Sequence, residues 1–306
     1  MSQAGRRTPA ALAIDVGGTK IAAALVDQDG NILSLRTVPT GNPGDNSLRR
    51  AASLGEQVAA TAEELGMRVV GAGIGLPELV EDGRITSHAV VAWTDEWVES
   101  AFARYGTIRV EADIRAAALA ECRFGSGGRA GVTLYVNLGT GISHCLLIDG
   151  RPFEGQHGRA LMSGSTLLTA LDEQRNDLVG CRVEDVASGR GISERYSRLS
   201  GRTLPASAVF ERARNGDTDA VLVMTQSIDL LGHLVASLID ILDPGLVILG
   251  GGLAEDPGLV DGLRDVALRA VWSDRARRTP IVTGSCGPSA GVIGAGLSLL
   301  DRLGDC

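Results

Sequence analysis

Short apolar runs alternate with longer stretches of helical periodicity along this chain. Ala11–Ile14, Val69–Ile74, Ile108–Val110, Val132–Leu138 and Leu246–Leu249 are strand-length and rich in Val, Ile and Leu. Between them, Ser47–Leu65, Asp95–Arg104, Ala116–Arg123, Val221–Leu242 and Leu259–Val271 space their apolar residues as helices do. This alternation predicts an α/β fold. Ala22–Val26 and Ile32–Leu35 flank Asp27–Gly30, whose Asp29-Gly30 step is a turn signal, so the first strand is expected to continue into a hairpin meander. A second hairpin is expected from Cys145–Ile148, the turn at Asp149-Gly150, and Pro152-Phe153.

One pattern occurs twice. Ala13-Ile14-Asp15-Val16-Gly17-Gly18-Thr19 and Val136-Asn137-Leu138-Gly139-Thr140-Gly141 are each a strand running into a glycine turn, followed by apolar residues that resemble the next strand of a hairpin. Two such halves predict a duplicated domain with a cleft between the copies; chance recurrence of Gly-Thr turns in a glycine-rich chain is the plainer alternative.

Composition narrows the function classes. At 306 residues the chain has room for two domains or one large one, and 44% hydrophobic with 22% charged residues rules out wholesale disorder. A net charge of −8 disfavours a nucleic-acid partner, which needs clustered Lys and Arg. Five cysteines without a C-x-x-C pair fit a reducing cytoplasm, no signal peptide fits the N-terminus, and no run of about 18 apolar residues predicts a membrane span. Glycine is abundant, at 41 residues, and of 29 basic residues only Lys20 is a lysine.

That lysine closes the run Asp15-Val16-Gly17-Gly18-Thr19-Lys20. Adjacent glycines at a strand end let backbone N–H groups approach an anion, Thr19 offers a hydroxyl and Lys20 a point charge. Asp15 adds a carboxylate suited to holding Mg²⁺ through water. The run reads as a phosphate loop, with an ordinary hairpin turn and a solvated lysine as the alternative. Gly139-Thr140-Gly141 would hold the other side of the same phosphates, and Gly250-Gly251-Gly252, after Leu246–Leu249, would let a flat base lie against backbone; each is also readable as a tight turn without a ligand. There is no G-x-x-x-x-G-K-[ST], no G-x-G-x-x-G opening a strand-to-helix unit, no G-x-S-x-G, and no zinc-ligand spacing among the four histidines. Nucleotide-dependent phosphoryl transfer remains. It needs a base for the acceptor hydroxyl, and Asp113, between the strand Ile108–Val110 and a helix, is the candidate; a helix N-cap is its structural alternative.

Together these motifs resemble the ROK family, bacterial glucokinase-like sugar kinases of the actin-like ATPase superfamily. The resemblance runs from about Ala11 to Leu300 and rests on the D-x-G-G-T-K loop, G-I-G-L-P at Gly73–Pro77, E-x-D-x-x-A-A-A-L-A-E at Glu111–Glu121, G-T-G-I at Gly139–Ile142, D-P-x-x-V-I-L-G-G-G at Asp243–Gly252 and A-G-x-I-G-A at Ala290–Ala295. It implies a duplicated, ribonuclease H-like fold with two domains around a central cleft. The expected division is 1–112 and 113–288, with a helix over about 289–304 packing back on the first. It implies ATP and Mg²⁺ held by the loops at Asp15–Lys20, Gly139–Gly141 and Gly250–Gly252. Asp113 matches the family's catalytic aspartate, which takes the proton of a sugar primary hydroxyl. On the acceptor side the resemblance places Gly75, Pro77, Glu78, Asp113 and Glu184, with Arg115 and His157 as further candidates where this chain departs from the family, and it implies a homodimer.

Departures from the family pattern cluster on the acceptor side. The usual Asn before the catalytic Asp is Ala112, and the one two residues after it is Arg115, which would touch substrate or product phosphate or else lie solvated on a helix face. The family's G-E-I-G-H aligns with Leu161-Met162-Ser163-Gly164-Ser165, so its sugar-binding Glu and its sugar- and zinc-binding His are gone; His144 or His157 would take over. Of the cysteine cluster only Cys181 remains, so no structural zinc is expected, while Glu184 matches the other sugar-binding Glu. Two readings follow: a kinase for a modified ring, such as an amino sugar of the kanosamine type or a cyclitol, as in antibiotic pathways, or a non-catalytic regulator on the same fold. The kinase reading is favoured because phosphate loops and base persist.

Overall fold

The computed structural model describes residues 7–41, 46–128, 131–160, 162–172 and 177–304; Leu161 and Cys306 lie outside them. Contacts divide the chain into two units, Met1–Gly125 with Arg151–Ala160 and Pro288–Cys306, and Ser126–Gly150 with Leu161–Gly287. The helix opened by Asp113 and the segment 151–160 therefore group with the first unit, whereas the sequence reading placed both in the second.

In the first unit, β1 (Thr8–Val16), β2 (Lys20–Val26) and β3 (Ile32–Pro39) form an antiparallel meander. Helix α1 (Ser47–Ala59) leads to β4 (Met67–Leu76), and α2 (Asp95–Phe102) to β5 (Thr107–Ala112), both strands parallel to β1. The sheet order is β3-β2-β1-β4-β5. Its two faces are built from different residues. Leu12, Ile14, Ile21 and Leu25 pack under Leu54, Val58 and Phe102, a conventional apolar core. The opposite face presents Ala13, Ala22 and Ala24 to Val292 and Ala295 of the C-terminal helix, Ala290–Gly304. Small residues let this helix approach closely: a Cβ on Gly73 would sit 1.9 Å from the Ala295 carbonyl oxygen. Helix α3 (Asp113–Phe124) crosses the same helix with Gly294 against the Ala116 carbonyl, where a Cβ would be 1.7 Å away.

Helix α1 ends at Ala59 rather than Leu65. The Thr61 hydroxyl donates to the Val58 carbonyl (2.8 Å), which competes with helical pairing, and turns carry the chain to Gly66 at φ +68°.

The second unit repeats the arrangement. β6 (Val132–Leu138) pairs antiparallel with β7 (Ile142–Ile148), and Asp149 and Gly150 follow with φ of 50° and 76°, as a two-residue hairpin turn requires. An exposed ribbon, β8 (Leu167–Asp172) with β9 (Asp177–Arg182), precedes α4 (Val183–Ala187), α5 (Gly189–Ser200), α6 (Ala206–Arg214) and α7 (Thr218–Leu242). Then come β10 (Leu246–Gly250), α8 (Pro257–Ala270) and β11 (Ile281–Thr283). β10 is parallel to both β6 and β11, so the order β7-β6-β10-β11 matches β2-β1-β4-β5 strand for strand and direction for direction. Among the described residues α7 is the one helix long and apolar enough to cross a membrane, and half of its apolar stretch is buried in this unit.

Candidate active site

The first hairpin closes at the pair Val16 and Ile21, leaving Gly17, Gly18 and Thr19 in the turn and Lys20 at the start of β2. Gly17 N–H donates to the Lys20 carbonyl (2.9 Å), and the Thr40 hydroxyl donates to the Gly17 carbonyl (2.7 Å). Neither glycine has a positive φ, and a Cβ on Gly18 would meet nothing within 4 Å. The chain's own packing therefore does not demand Gly18. Thr19 and Lys20 are exposed beside it.

Asp15 sits in register with Gly75 of β4, and Gly75 with Glu111 of β5, so three residues line the carboxyl end of the parallel strands. This is where open α/β sheets bind ligands. Burial pushes the Asp15 carboxyl up to about 6, opposed by Lys20. Glycines make room for it: a Cβ on Gly291, in the first turn of the C-terminal helix, would be 2.5 Å from Asp15 Oδ2. A Cβ on Gly75 would be 3.4 Å from Asp15 Oδ1 and 3.7 Å from Asp113 Cα. Pro77 follows in a bend just beyond β4.

Asp113 is the first residue of α3, whose N-cap is Ala112, so it is not the cap that the structural alternative required. Its Oδ1 accepts the Ile114 N–H at 2.6 Å. Burial, and then the Asp15 carboxylate, push the Asp113 carboxyl up to about 7, against the Ile114 N–H and Arg115, while Glu78 adds to the rise. A carboxylate poised near neutrality is suited to general-base work.

Two expected acceptor contacts are engaged elsewhere. Glu78 is buried, and its carboxylate accepts the backbone N–H groups of Ala89 (2.9 Å), Val90 (2.5 Å) and Val91 (2.7 Å) together with the Ser87 hydroxyl. It organises the loop before α2 and has little capacity left for a ligand. Arg115 is 1% exposed, neither solvated nor open to a substrate. Its Nε donates to Glu111 Oε1 (2.6 Å), and its terminal nitrogens donate to the carbonyls of Val80 (2.6 Å) and Gly158 (3.1 Å). His157 is exposed, with Nδ1 3.8 Å from Glu81 Oε1. In the same loop region Trp93 is buried and donates to Ser47, while Asp95 accepts the Ile85 N–H.

In the second unit, the glycine turns after β6 and β10 lie side by side. Gly250 pairs with Asn137, and a Cβ on Gly251, at φ +83°, would fall 2.5 Å from the Leu138 carbonyl oxygen. Gly252, like Gly18, opens onto free space. Gly139 N–H donates to the Gly141 carbonyl (3.0 Å), leaving Thr140 at the tip, and Gly189 N–H donates to the Gly139 carbonyl (2.8 Å). This docks the turn on the N-terminus of α5, which Ser188 caps through the Gly191 N–H. Glu184 lies against Gly141, accepting the Ile142 N–H (3.3 Å) and pairing with Arg190 (3.2 Å). Nearby in sequence, His144 Nδ1 and Ser163 Oγ are buried polar atoms without a hydrogen-bond partner, and burial holds the His144 imidazole below its ordinary value. Among the described residues no group of three or more His, Cys, Asp or Glu side chains is placed to share a metal ion.

The ROK family model matches residues 11–301, and the chain belongs to that family. It is 30% identical to an N-acetylgalactosamine kinase, AgaK, of Shewanella sp. (strain ANA-3), covering 93% of this chain and 94% of the relative. It is also 30% identical to a glucokinase of Streptomyces coelicolor, covering 93% and 95%. Among solved structures, a ROK family glucokinase from Streptomyces griseus in complex with glucose and AMPPNP superposes with a TM-score of 0.76 at 28% identity, covering 94% of this chain and 98% of that one. The fold is that of the actin-like ATPases, and the protein is a sugar kinase.

Proposed function

We propose that the protein transfers the γ-phosphate of ATP to the primary hydroxyl of a hexose-like acceptor, with Asp113 as the base. The observation that carries this reading is Asp113 itself, a carboxylate at the carboxyl end of the sheet, held near neutrality by burial and by Asp15. In the mechanism, Asp113 accepts the acceptor's hydroxyl proton as the oxygen attacks phosphorus in line. Gly17–Lys20 of the first unit would bind phosphate through backbone N–H groups and Lys20, and Gly139–Gly141 and Gly250–Gly252 are the second unit's candidate nucleotide turns. Asp15 fits Mg²⁺: its carboxylate, opposed by the Lys20 charge, suits an ion that keeps most of its water shell. Bound there, the ion would neutralise phosphate charge.

The acceptor we infer is a modified ring, an amino sugar or a cyclitol, rather than plain glucose. Met162 and Ser165 stand where the family has its sugar-binding Glu and His, Glu78 and Arg115 are engaged within the chain, and Glu184, which matches the family's other sugar-binding Glu, is itself paired with Arg190. A site that has lost hydroxyl-recognising hydrogen bonds discriminates poorly for the fully hydroxylated ring. A coupled ADP-release screen over glucose, mannose, N-acetylated hexosamines, glucosamine, kanosamine and cyclitols is expected to show highest kcat/KM for one of the modified rings. A strong preference for glucose would overturn the acceptor assignment. Cytoplasmic location and a homodimer belong to the same reading, and light scattering of the purified chain tests the second.

A further inference from the structure

We propose that Arg115 is a positioning residue that ties the base to two loops and thereby sets acceptor binding. The inference rests on Asp113 being the base. It starts from a buried arginine whose bonds run in three directions. Through Nε it holds Glu111, whose Oε1 also accepts the N–H of Ala112, the residue immediately before Asp113. Glu111 Oε2 is held in turn by Arg109 (3.3 Å), which lies 3.8 Å from Glu154. Alternating charges thus fix the end of β5 from which Asp113 departs.

The other arm of Arg115 reaches across sequence. Its two terminal nitrogens hold the carbonyls of Val80 and Gly158, and these segments touch: a Cβ on Gly158, at φ +63°, would lie 2.2 Å from the Val80 oxygen. Val80 continues the Gly75–Glu78 segment that borders Asp113, and Gly158 belongs to the loop carrying His157. A planar guanidinium with five donors in fixed geometry can make these bonds together, whereas an ammonium on a flexible stem cannot match them. Arg115 also stands near enough to favour the charged form of Asp113, which burial, Asp15 of β1 and Glu78 beyond β4 disfavour.

The test uses the full chain and the best acceptor from the screen. Arg115→Met is expected to lower kcat/KM for the acceptor at least about tenfold and to move the acid limb of its pH profile upward by about half a unit or more, with KM for ATP within about twofold of wild type. Arg115→Lys keeps the charge and is expected to restore the limb but not the acceptor kcat/KM. Gly158→Ala, which displaces the loop and leaves the charge in place, is expected to raise the acceptor KM about threefold or more without moving the limb. An Arg115→Met enzyme with a wild-type acid limb would overturn the proposal, as would Arg115→Lys with a wild-type acceptor kcat/KM or Gly158→Ala with a wild-type acceptor KM; Arg115→Lys and Gly158→Ala decide the matter if Arg115→Met does not fold. Full activity of Asp113→Asn would instead remove the base assignment on which the proposal stands.

Discussion

Two parts of the first unit, the turn at Gly17–Lys20 proposed for the donor and the residues Glu78 and Arg115 expected at the acceptor, differ in how much of their chemistry the chain itself uses. At the phosphate turn, Gly18 faces open space and Thr19 and Lys20 are exposed. At the acceptor side, Glu78 accepts four hydrogen bonds and Arg115 makes three, all within the chain. Motif residues left unengaged are available to a ligand, while charged residues that are fully bonded hold the structure around it. On the proposed assignment Arg115, two positions from the base, serves by placing it.

The largest expected effect lies where both sides meet the chemistry. Asp113→Asn should lower kcat by about 10²- to 10⁴-fold, the range for loss of a general base, with KM for ATP little changed; steady-state kinetics check this. Next comes a contrast between glycines. Gly73→Ala drives a Cβ into the Ala295 carbonyl and should cost about 1–3 kcal/mol or more in chemical denaturation. Gly18→Ala should leave stability within about 0.5 kcal/mol and instead raise the KM for ATP. If Gly18→Ala were the destabilising member, the turn would be structural and the comparison would fail.

Glu78→Gln removes a buried charge-assisted acceptor from three amides, and a loss of about 1–3 kcal/mol in denaturant unfolding is expected. Because Glu78 helps hold the Asp113 carboxyl high, the same variant should move the acid limb slightly downward, opposite to Arg115→Met. Smallest is Lys20→Arg, which retains charge at an exposed position. Unchanged stability with a few-fold higher KM for ATP is expected, and an unchanged KM would make the survival of this one lysine incidental.

Most strands and long helices were legible because Val, Ile and Leu mark them at the right period, while β11, at three residues, was too short to show one. Helices α5 and α6 were not, because Gly189–Ser200 and Ala206–Arg214 bury only a few residues among many arginines and other polar groups. The ribbon strands Leu167–Asp172 and Asp177–Arg182 were missed because the second is largely exposed and shows no alternation. In the site, glycine turns and Asp113 were readable from local motifs. The fates of Arg115 and Glu78 were not: Arg115 bonds to carbonyls 35 and 43 residues away, and burial of an arginine leaves no local signal. Several glycines of G-I-G-L-P and A-G-x-I-G-A had read simply as family signature; Gly73 and Gly294 prove to be points of close helix approach.

Folding holds the Asp113 carboxyl near neutrality, and its stability linkage measures this directly. With a carboxyl raised from 3.8 to about 7, the folded chain binds more protons than the unfolded one between those values, so this group's stabilising contribution is full below pH 3.8 and is lost as pH rises through about 7. Asp113→Asn cannot suffer that loss. Denaturant unfolding of both ligand-free proteins across this range should show the variant gaining on wild type as pH rises, levelling off above pH 7 on the order of 2–4 kcal/mol ahead of its relative stability at the acid end. A difference that stays flat with pH, or a wild type that gains on the variant toward neutrality, would contradict the account.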